Sequence, residues 1–199
     1  NKIDDRVKII SVMHASNVTG EIIDIKEVVR AAKRVGALVS VDGAQATPHM
    51  KVNLQSLGCD FYSFSAHKLL GPTGIGVLYI KEEIQEKMSP LKYGGGMIEE
   101  VKIEEATFAD LPEKFEAGTQ NIAGAVGLAA AIDYLEDIGL AEIRKHEIDL
   151  NAYALMKLDE IADLKIVGPK NPEKRTGLVT FAIKKTHAHD VAAILNTEG

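Results

Sequence analysis

The sequence is poor in several things, and each shortage narrows what it can be. It has one cysteine, Cys59, so no internal disulfide framework is available and a reducing cytoplasm is the expected setting. No apolar run reaches the roughly 18 residues needed to cross a membrane. Positive charge is not in excess: the net charge is -6, which argues against a dedicated nucleic-acid binder. There is no internal repeat and no low-complexity segment. His49, His146, His187 and His189 form no grouping with cysteine or carboxylates that reads as a metal site. His187 and His189 are expected to mark the start of a helix. The opening residues Asn1 to Arg6 are polar and charged, so no signal peptide is expected there. Asn1 and the abrupt stop at Gly199 suggest a segment of a longer polypeptide.

The remainder is ordinary for a globular protein: 46% hydrophobic and 26% charged over 199 residues, enough for one large domain or one domain plus part of another. Apolar runs alternate with helical patterns. Residues 7–13, 37–42, 61–65 and 76–80 read as buried strands. Residues 24–35 read as a helix, with Asp24 as N-cap, Ile25, Val28, Val29 and Ala32 on one face, and Gly36 ending it. A looser stretch is expected from about 88 to 124. Helical patterns cover 123–138 and 140–163. Short strands follow at 164–167 and 177–183, then a helix over 188–197. This order predicts an α/β domain with a mostly parallel sheet. A domain boundary is expected near Gly139, with residues 1–138 forming a large domain and 139–199 the start of a smaller α/β domain.

Two polar clusters fall just past the ends of predicted parallel strands, the edge where open α/β sheets bind ligands. One is Asp42-Gly43-Ala44-Gln45. The other is Ser65-Ala66-His67-Lys68, followed by Gly71-Pro72-Thr73-Gly74. A lysine there can form a Schiff base with an aldehyde. Serine and histidine beside it can donate to a phosphate. An aspartate at the neighbouring strand end can pair with a protonated pyridine nitrogen and keep the ring an electron sink. A glutamine three residues on can reach the ring's phenolate oxygen. Together these groups suit pyridoxal phosphate. Each also has a plainer reading. A lone lysine is usually solvated, Asp42 can cap a turn before Gly43, and His67 can be a packed or exposed histidine. Gln45 is a buried amide in need of partners.

In detail, Asp42-Gly43-Ala44-Gln45 and the run from Phe64-Ser65-Ala66-His67-Lys68 through Gly71-Pro72-Thr73-Gly74 to Gly76 resemble the cofactor site of the class V aminotransferase superfamily. The fold implied is fold type I of the pyridoxal-phosphate enzymes. Within the superfamily the sequence is most similar to the SufS-type cysteine desulfurases and selenocysteine lyases. Supporting stretches are His14-Ala15-Ser16-Asn17-Val18-Thr19-Gly20, Gly94-Gly95-Gly96-Met97-Ile98 and Phe115-Glu116-Ala117-Gly118-Thr119. The resemblance runs through all 199 residues and covers about the middle half of a full-length member.

The resemblance implies a set of roles. Lys68 holds the cofactor and moves substrate protons. Asp42 faces the pyridine nitrogen, Gln45 the phenolate oxygen, and Ser65 and His67 the phosphate. Asn17 lies near the substrate carboxylate or a cofactor oxygen, unless it is simply an Asx-turn residue. His14 is as readily structural as functional. Thr119 reaches the phosphate of a neighbouring subunit's cofactor, implying a homodimer. Gly94, Gly95 and Gly96 are read as loop. The activity implied is removal of sulfur or selenium from cysteine or selenocysteine to give alanine, feeding iron-sulfur cluster assembly through a sulfur-acceptor protein. The family's catalytic cysteine, its carboxylate-binding arginine, the glycine-threonine phosphate loop and the ring-stacking histidine fall outside the matched region. Lys114 stands where desulfurases often carry arginine. Cys59 is not expected to be the nucleophile: it precedes the strand whose far end carries Lys68, so several residues at about 3.3 Å each separate the two. The isolated segment is expected to lack turnover. Other superfamily aminotransferases, lyases or epimerases, and a non-catalytic cofactor-binding module, are the competing readings.

Overall fold

The computed structural model describes residues 3–198. Its centre is a four-stranded sheet built from β1 (Ile9–Met13), β2 (Leu38–Asp42), β3 (Phe61–Ser65) and β4 (Gly76–Ile80), in that spatial order. β1–β2 and β2–β3 pair in parallel, with Met13 opposite Asp42 and Asp42 opposite Ser63. β3 and β4 are antiparallel. Residues 66–75 connect them, too short a stretch for the crossover a parallel neighbour requires.

Helix α1 (Ile25–Lys33) forms the β1-to-β2 crossover. Asp24 caps it by accepting from the Glu27 amide at 3.1 Å, and Gly36, at φ +68, turns the chain into β2. Ile25, Val29 and Ala32 bury against Val39, Val41 and Tyr62, with Ile10, Val12, Phe64 and Tyr79 packed around them. The apolar stripe of the helix at 3.6-residue spacing thus meets alternate residues of each strand. The other sheet face differs from the sequence expectation. The strands read as buried on both faces, yet Ile9, Met13, Leu38 and Leu78 remain exposed. Hydrophobic runs record that a face is meant to be covered, but not which segment covers it.

A short α2 (Leu54–Leu57) precedes β3. Asp60 then ties strands together, accepting from the Val39 amide at 2.7 Å and from Lys81 Nζ at 2.6 Å. After β4 comes α3 (Glu82–Gln85). The stretch expected to be loose contains an antiparallel hairpin, β5 (Ile98–Val101) and β6 (Ala106–Phe108). Its strands are short and mostly exposed, with two glutamates in β5, so no apolar alternation betrays them in sequence. Helix α4 (Ile122–Ile138) and helix α5 (Leu140–Asp159) meet at Gly139, whose φ of +90 makes the turn. β7 (Leu164–Val167) pairs antiparallel with β8 (Thr180–Ile183), and α6 (Ala188–Glu198) follows. α5 and β8 are each shorter than the sequence pattern suggested, ending at Asp159 and starting at Thr180. His187 stands at the start of α6, as expected, accepting from the His189 amide at Nδ1.

Val39 and Val41 sit at the centre of this core, with 1% and 0% exposure. Val39→Ala should lower unfolding free energy by about 2 kcal/mol, from lost burial plus the cavity left behind. Urea titration checks this, with an unchanged m-value expected.

Candidate functional site

The C-terminal ends of β2 and β3 lie side by side, and that edge carries both clusters. The Ala66–Leu69 segment is a single 3-10 turn. Residues three apart eclipse in such a turn. Ala66 and Leu69 therefore share one face, buried against Leu128 and Leu135 of α4. His67 and Lys68 are left on the other face and are exposed. The Lys68 amine has no hydrogen-bond or ion-pair partner among the described residues. Leu70, at φ 60, reverses the chain, and the Gly71 amide closes the turn on the Ala66 carbonyl at 2.9 Å.

Asp42 is held by a different device. The His14 amide donates to the Asp42 carbonyl at 2.8 Å, and the Gly43 amide to the Ser63 carbonyl at 2.7 Å. These bonds extend both ladders past the end of β2. Beneath them the Tyr62 ring lies against Gly43 so closely that a Cβ there would come within 2.0 Å of Tyr62 Cε1. Only glycine permits that approach. The Asp42 side chain is exposed, with Oδ1 accepting from the Ala44 amide at 2.9 Å. Its turn-capping role is therefore real, but it engages one oxygen. The other has no partner among the described residues. Residues 43–47 then form a turn in which Ala46 and Thr47 donate back to the Gly43 carbonyl. Gln45 sits in that turn, half-buried.

Tyr62 and His14 form a support that sequence reading missed. Their side chains share a 2.9 Å hydrogen bond, with the rings edge-on. Burial pushes the Tyr62 phenol well above its usual range and pulls the His14 imidazole below its own. A neutral pair under the Asp42–Gly43 turn is the result. The only available signal was a tyrosine one strand over from a glycine, which is too common to single out.

Asn17 sits in an exposed turn after β1. The expected alternative, an Asx turn at Asn17, is not formed; its neighbour makes an ST turn, with Ser16 Oγ accepting from the Val18 and Thr19 amides. Asn17's own side chain makes no hydrogen bond among the described residues. Ser16, Thr19, Glu21, Met13 and Asp42 line one shallow cleft, so this turn borders the same edge. Ser65 ends β3 opposite Gly76 and is half-buried. Thr119 is exposed in the turn before α4. Two residues on, Asn121 donates to the Gly74 carbonyl at 3.3 Å, holding that turn beside the loop after Lys68. Cys59 is wholly buried at the opposite end of β3, its thiol pKa raised chiefly by burial. Lys114 donates to the Gln85 and Glu86 carbonyls.

An amine, a carboxylate, an amide, a hydroxyl and an imidazole thus converge on one strand edge, with the amine and one carboxylate oxygen unengaged. That donor set suits an aldehyde-bearing, anionic aromatic cofactor. The chain belongs to the class V aminotransferase family, whose profile matches residues 1–199. Among curated proteins it is 54% identical to a probable cysteine desulfurase of Halalkalibacterium halodurans, over 99% of this chain and 48% of that one. Among solved structures it superposes on the Escherichia coli cysteine desulfurase CsdA with TM-score 0.90, at 37% identity, over 99% of this chain and 48% of CsdA. It also superposes, with TM-score 0.81 and 25% identity over 96% of this chain and 51% of the other, on C-DES bearing glycine linked to its PLP cofactor. The chain spans about half the length of the relatives it matches.

The buried His14 sets a pH dependence. An unfolded chain binds a proton at His14 near pH 6.5, while the native chain resists protonation until lower pH. The unfolded state therefore holds more protons in that window, and stability falls as pH drops below 6.5. Denaturant titrations from pH 7.5 to 5 should show this slope, and His14→Gln should flatten it.

Proposed function

We propose that this chain is the cofactor-holding core of a pyridoxal-phosphate-dependent cysteine desulfurase. The observation that carries the reading is the juxtaposition of Lys68 and Asp42 at the ends of adjacent parallel strands, each with an unengaged polar atom facing solvent. Residues 1–138 form the cofactor-binding domain in this reading, and 139–199 begin a smaller domain. Lys68 would bind the cofactor through its amine, Asp42 would pair with the ring nitrogen, Gln45 with the phenolate oxygen, and Ser65 and His67 with the phosphate. The bound group supplies an electron sink for negative charge at the substrate α-carbon.

The chain's own residues supply the rest. Asp42 carries a negative charge on a backbone locked from both sides, so its position costs little reorganisation during reaction. Lys68 stands on a turn anchored by Ala66 and Leu69, so its amine can swing while its backbone stays fixed. That amine would be the base that takes the substrate α-proton and later returns it. Asn17 would lie near a cofactor oxygen or, as we propose, the substrate carboxylate. The sulfur acceptor is not Cys59, because a buried thiol with a raised pKa is neither accessible nor a thiolate. The accepting cysteine belongs to another part of the full-length protein. L-cysteine or selenocysteine is the substrate in this reading and alanine the product. The sulfur passes to an acceptor protein serving iron-sulfur cluster assembly in the cytoplasm. Thr119 would act in the site of a second copy, making the working protein a homodimer.

A lyase reading has its own support in the likeness to C-DES, a cystine C–S lyase. Product analysis separates them: a desulfurase yields alanine and protein-bound sulfur, a lyase pyruvate and ammonia.

In full-length protein, reductive trapping of pyridoxal phosphate followed by peptide mapping should label Lys68. Lys68→Ala should abolish both the label and alanine release. Asp42→Asn should keep the label but lower kcat by about 100-fold or more, since it removes the charge opposite the ring. A labelled Lys68 with no reaction on cysteine would support the non-catalytic cofactor-binding module instead.

A further inference from the structure

Residues 167–180 grip the loop after β1 through a set of polar bonds. Three consecutive carbonyls of the loop after β1 are each held from residues 167–180. The Thr180 hydroxyl donates to the Val18 carbonyl. Arg175 Nη2 donates to the Thr19 carbonyl at 3.0 Å. The Thr176 amide donates to the Gly20 carbonyl at 2.8 Å. The Ile22 amide in turn donates to the Lys174 carbonyl at 3.0 Å, and Glu21 and Arg175 form an antiparallel bridge. Two glycines let the backbones come this close. A Cβ on Gly20 would meet the Leu178 carbonyl oxygen at 2.8 Å, and one on Gly168 would meet the Thr19 carbonyl oxygen at 2.8 Å.

Arg175 is the centre of this grip. It is fully buried, and no carboxylate pairs with it among the described residues. Its guanidinium is satisfied by carbonyls alone: Leu178 to Nε at 3.0 Å, Pro169 to Nη1 at 2.7 Å, and Thr19 and Val167 to Nη2 at 3.0 and 3.5 Å. Burying a cation costs several kcal/mol unless its donors are met. The planar fork meets all four carbonyls in one arrangement of loop and hairpin only. Burial draws the guanidinium's pKa down from its ordinary value, but arginine stays protonated in proteins. The charge therefore enforces the arrangement at any working pH.

Asn17 immediately precedes the three captured carbonyls, and its side chain is exposed and unengaged. We propose that Arg175 is a positioning residue, holding the 16–20 loop so that Asn17 is presented at the edge of the site. The inference rests on the reading of Asn17 as a substrate-facing residue. It adds a distant group that determines where Asn17 stands.

The test uses full-length protein with Arg175→Lys, which keeps the charge but loses the fork, and Thr180→Val, which cuts the neighbouring tether without disturbing the buried cation. Amide hydrogen exchange at Ser16, Gly20 and Ile22 should accelerate at least about tenfold in Arg175→Lys, and less in Thr180→Val, while β2 amides stay unchanged. Cofactor trapping at Lys68 should persist. On cysteine, kcat/KM should fall by about 10- to 100-fold, and that loss should shrink in an Asn17→Ala background, because the two residues act through one loop. Unchanged loop exchange, acceleration spread evenly over the sheet, or losses that simply multiply with Asn17→Ala would overturn the proposal. Should wild-type protein not release alanine from cysteine, the desulfurase reading fails. The exchange measurement then still decides whether Arg175 holds the loop.

Discussion

The contact between Gly43 and the Tyr62 ring is the constraint on which the site depends. It lets the end of β2 settle onto β3 without a side chain between them. The ladder bonds from His14 and Gly43 can then continue beyond the last residue of the strand. Asp42 is consequently fixed by backbone on two sides and by a buried tyrosine–histidine pair below. A carboxylate held this way is already in place before any ligand arrives. Its spare oxygen needs no conformational search, which is the condition under which a fixed charge assists a reaction most.

Lys68 is placed by the opposite principle. Nothing bonds to its side chain, and its backbone is fixed from behind by burial of Ala66 and Leu69. The 3-10 turn converts a two-residue apolar anchor into two outward-facing polar residues. A rigid carboxylate beside a free amine on a rigid base matches the two tasks proposed for them, one stationary and one mobile. The N-terminal turn bearing Asn17 is a third case, fixed by neither sheet nor helix but by the polar grip of residues 167–180.

Among the described residues, that grip is one of two polar links from the sheet's loops to helix α5 and the β7–β8 hairpin. The other joins His49, in the segment after Gln45, to Glu147 of α5 at 2.5 Å, with Arg144 nearby and itself donating to the Arg175 and Glu173 carbonyls. Both links run from the loops after β1 and β2 to residues 140–183. Asn151 of α5, buried, donates to the Thr176 carbonyl and reinforces the first link. These links run through backbone carbonyls and a few largely buried polar side chains. Such contacts are geometrically demanding and specify one docking arrangement more sharply than apolar packing does.

Sequence alone determined the strand and helix order, the cap at Asp24, the turn at Gly36, and the two clusters around Asp42 and Lys68. These follow from local periodicity, capping chemistry and motif spacing, which act over a few residues. It did not disclose the β5–β6 hairpin, whose short, mostly exposed strands lack an apolar alternation. It offered an Asx turn at Asn17, where the folded chain has an ST turn at Ser16. The His14–Tyr62 support and the Arg175 grip were invisible for one reason: they join residues 48 and 156 positions apart. No local pattern encodes such pairs. Only the folded chain brings an arginine and a threonine carbonyl from its two ends together in a place closed to water.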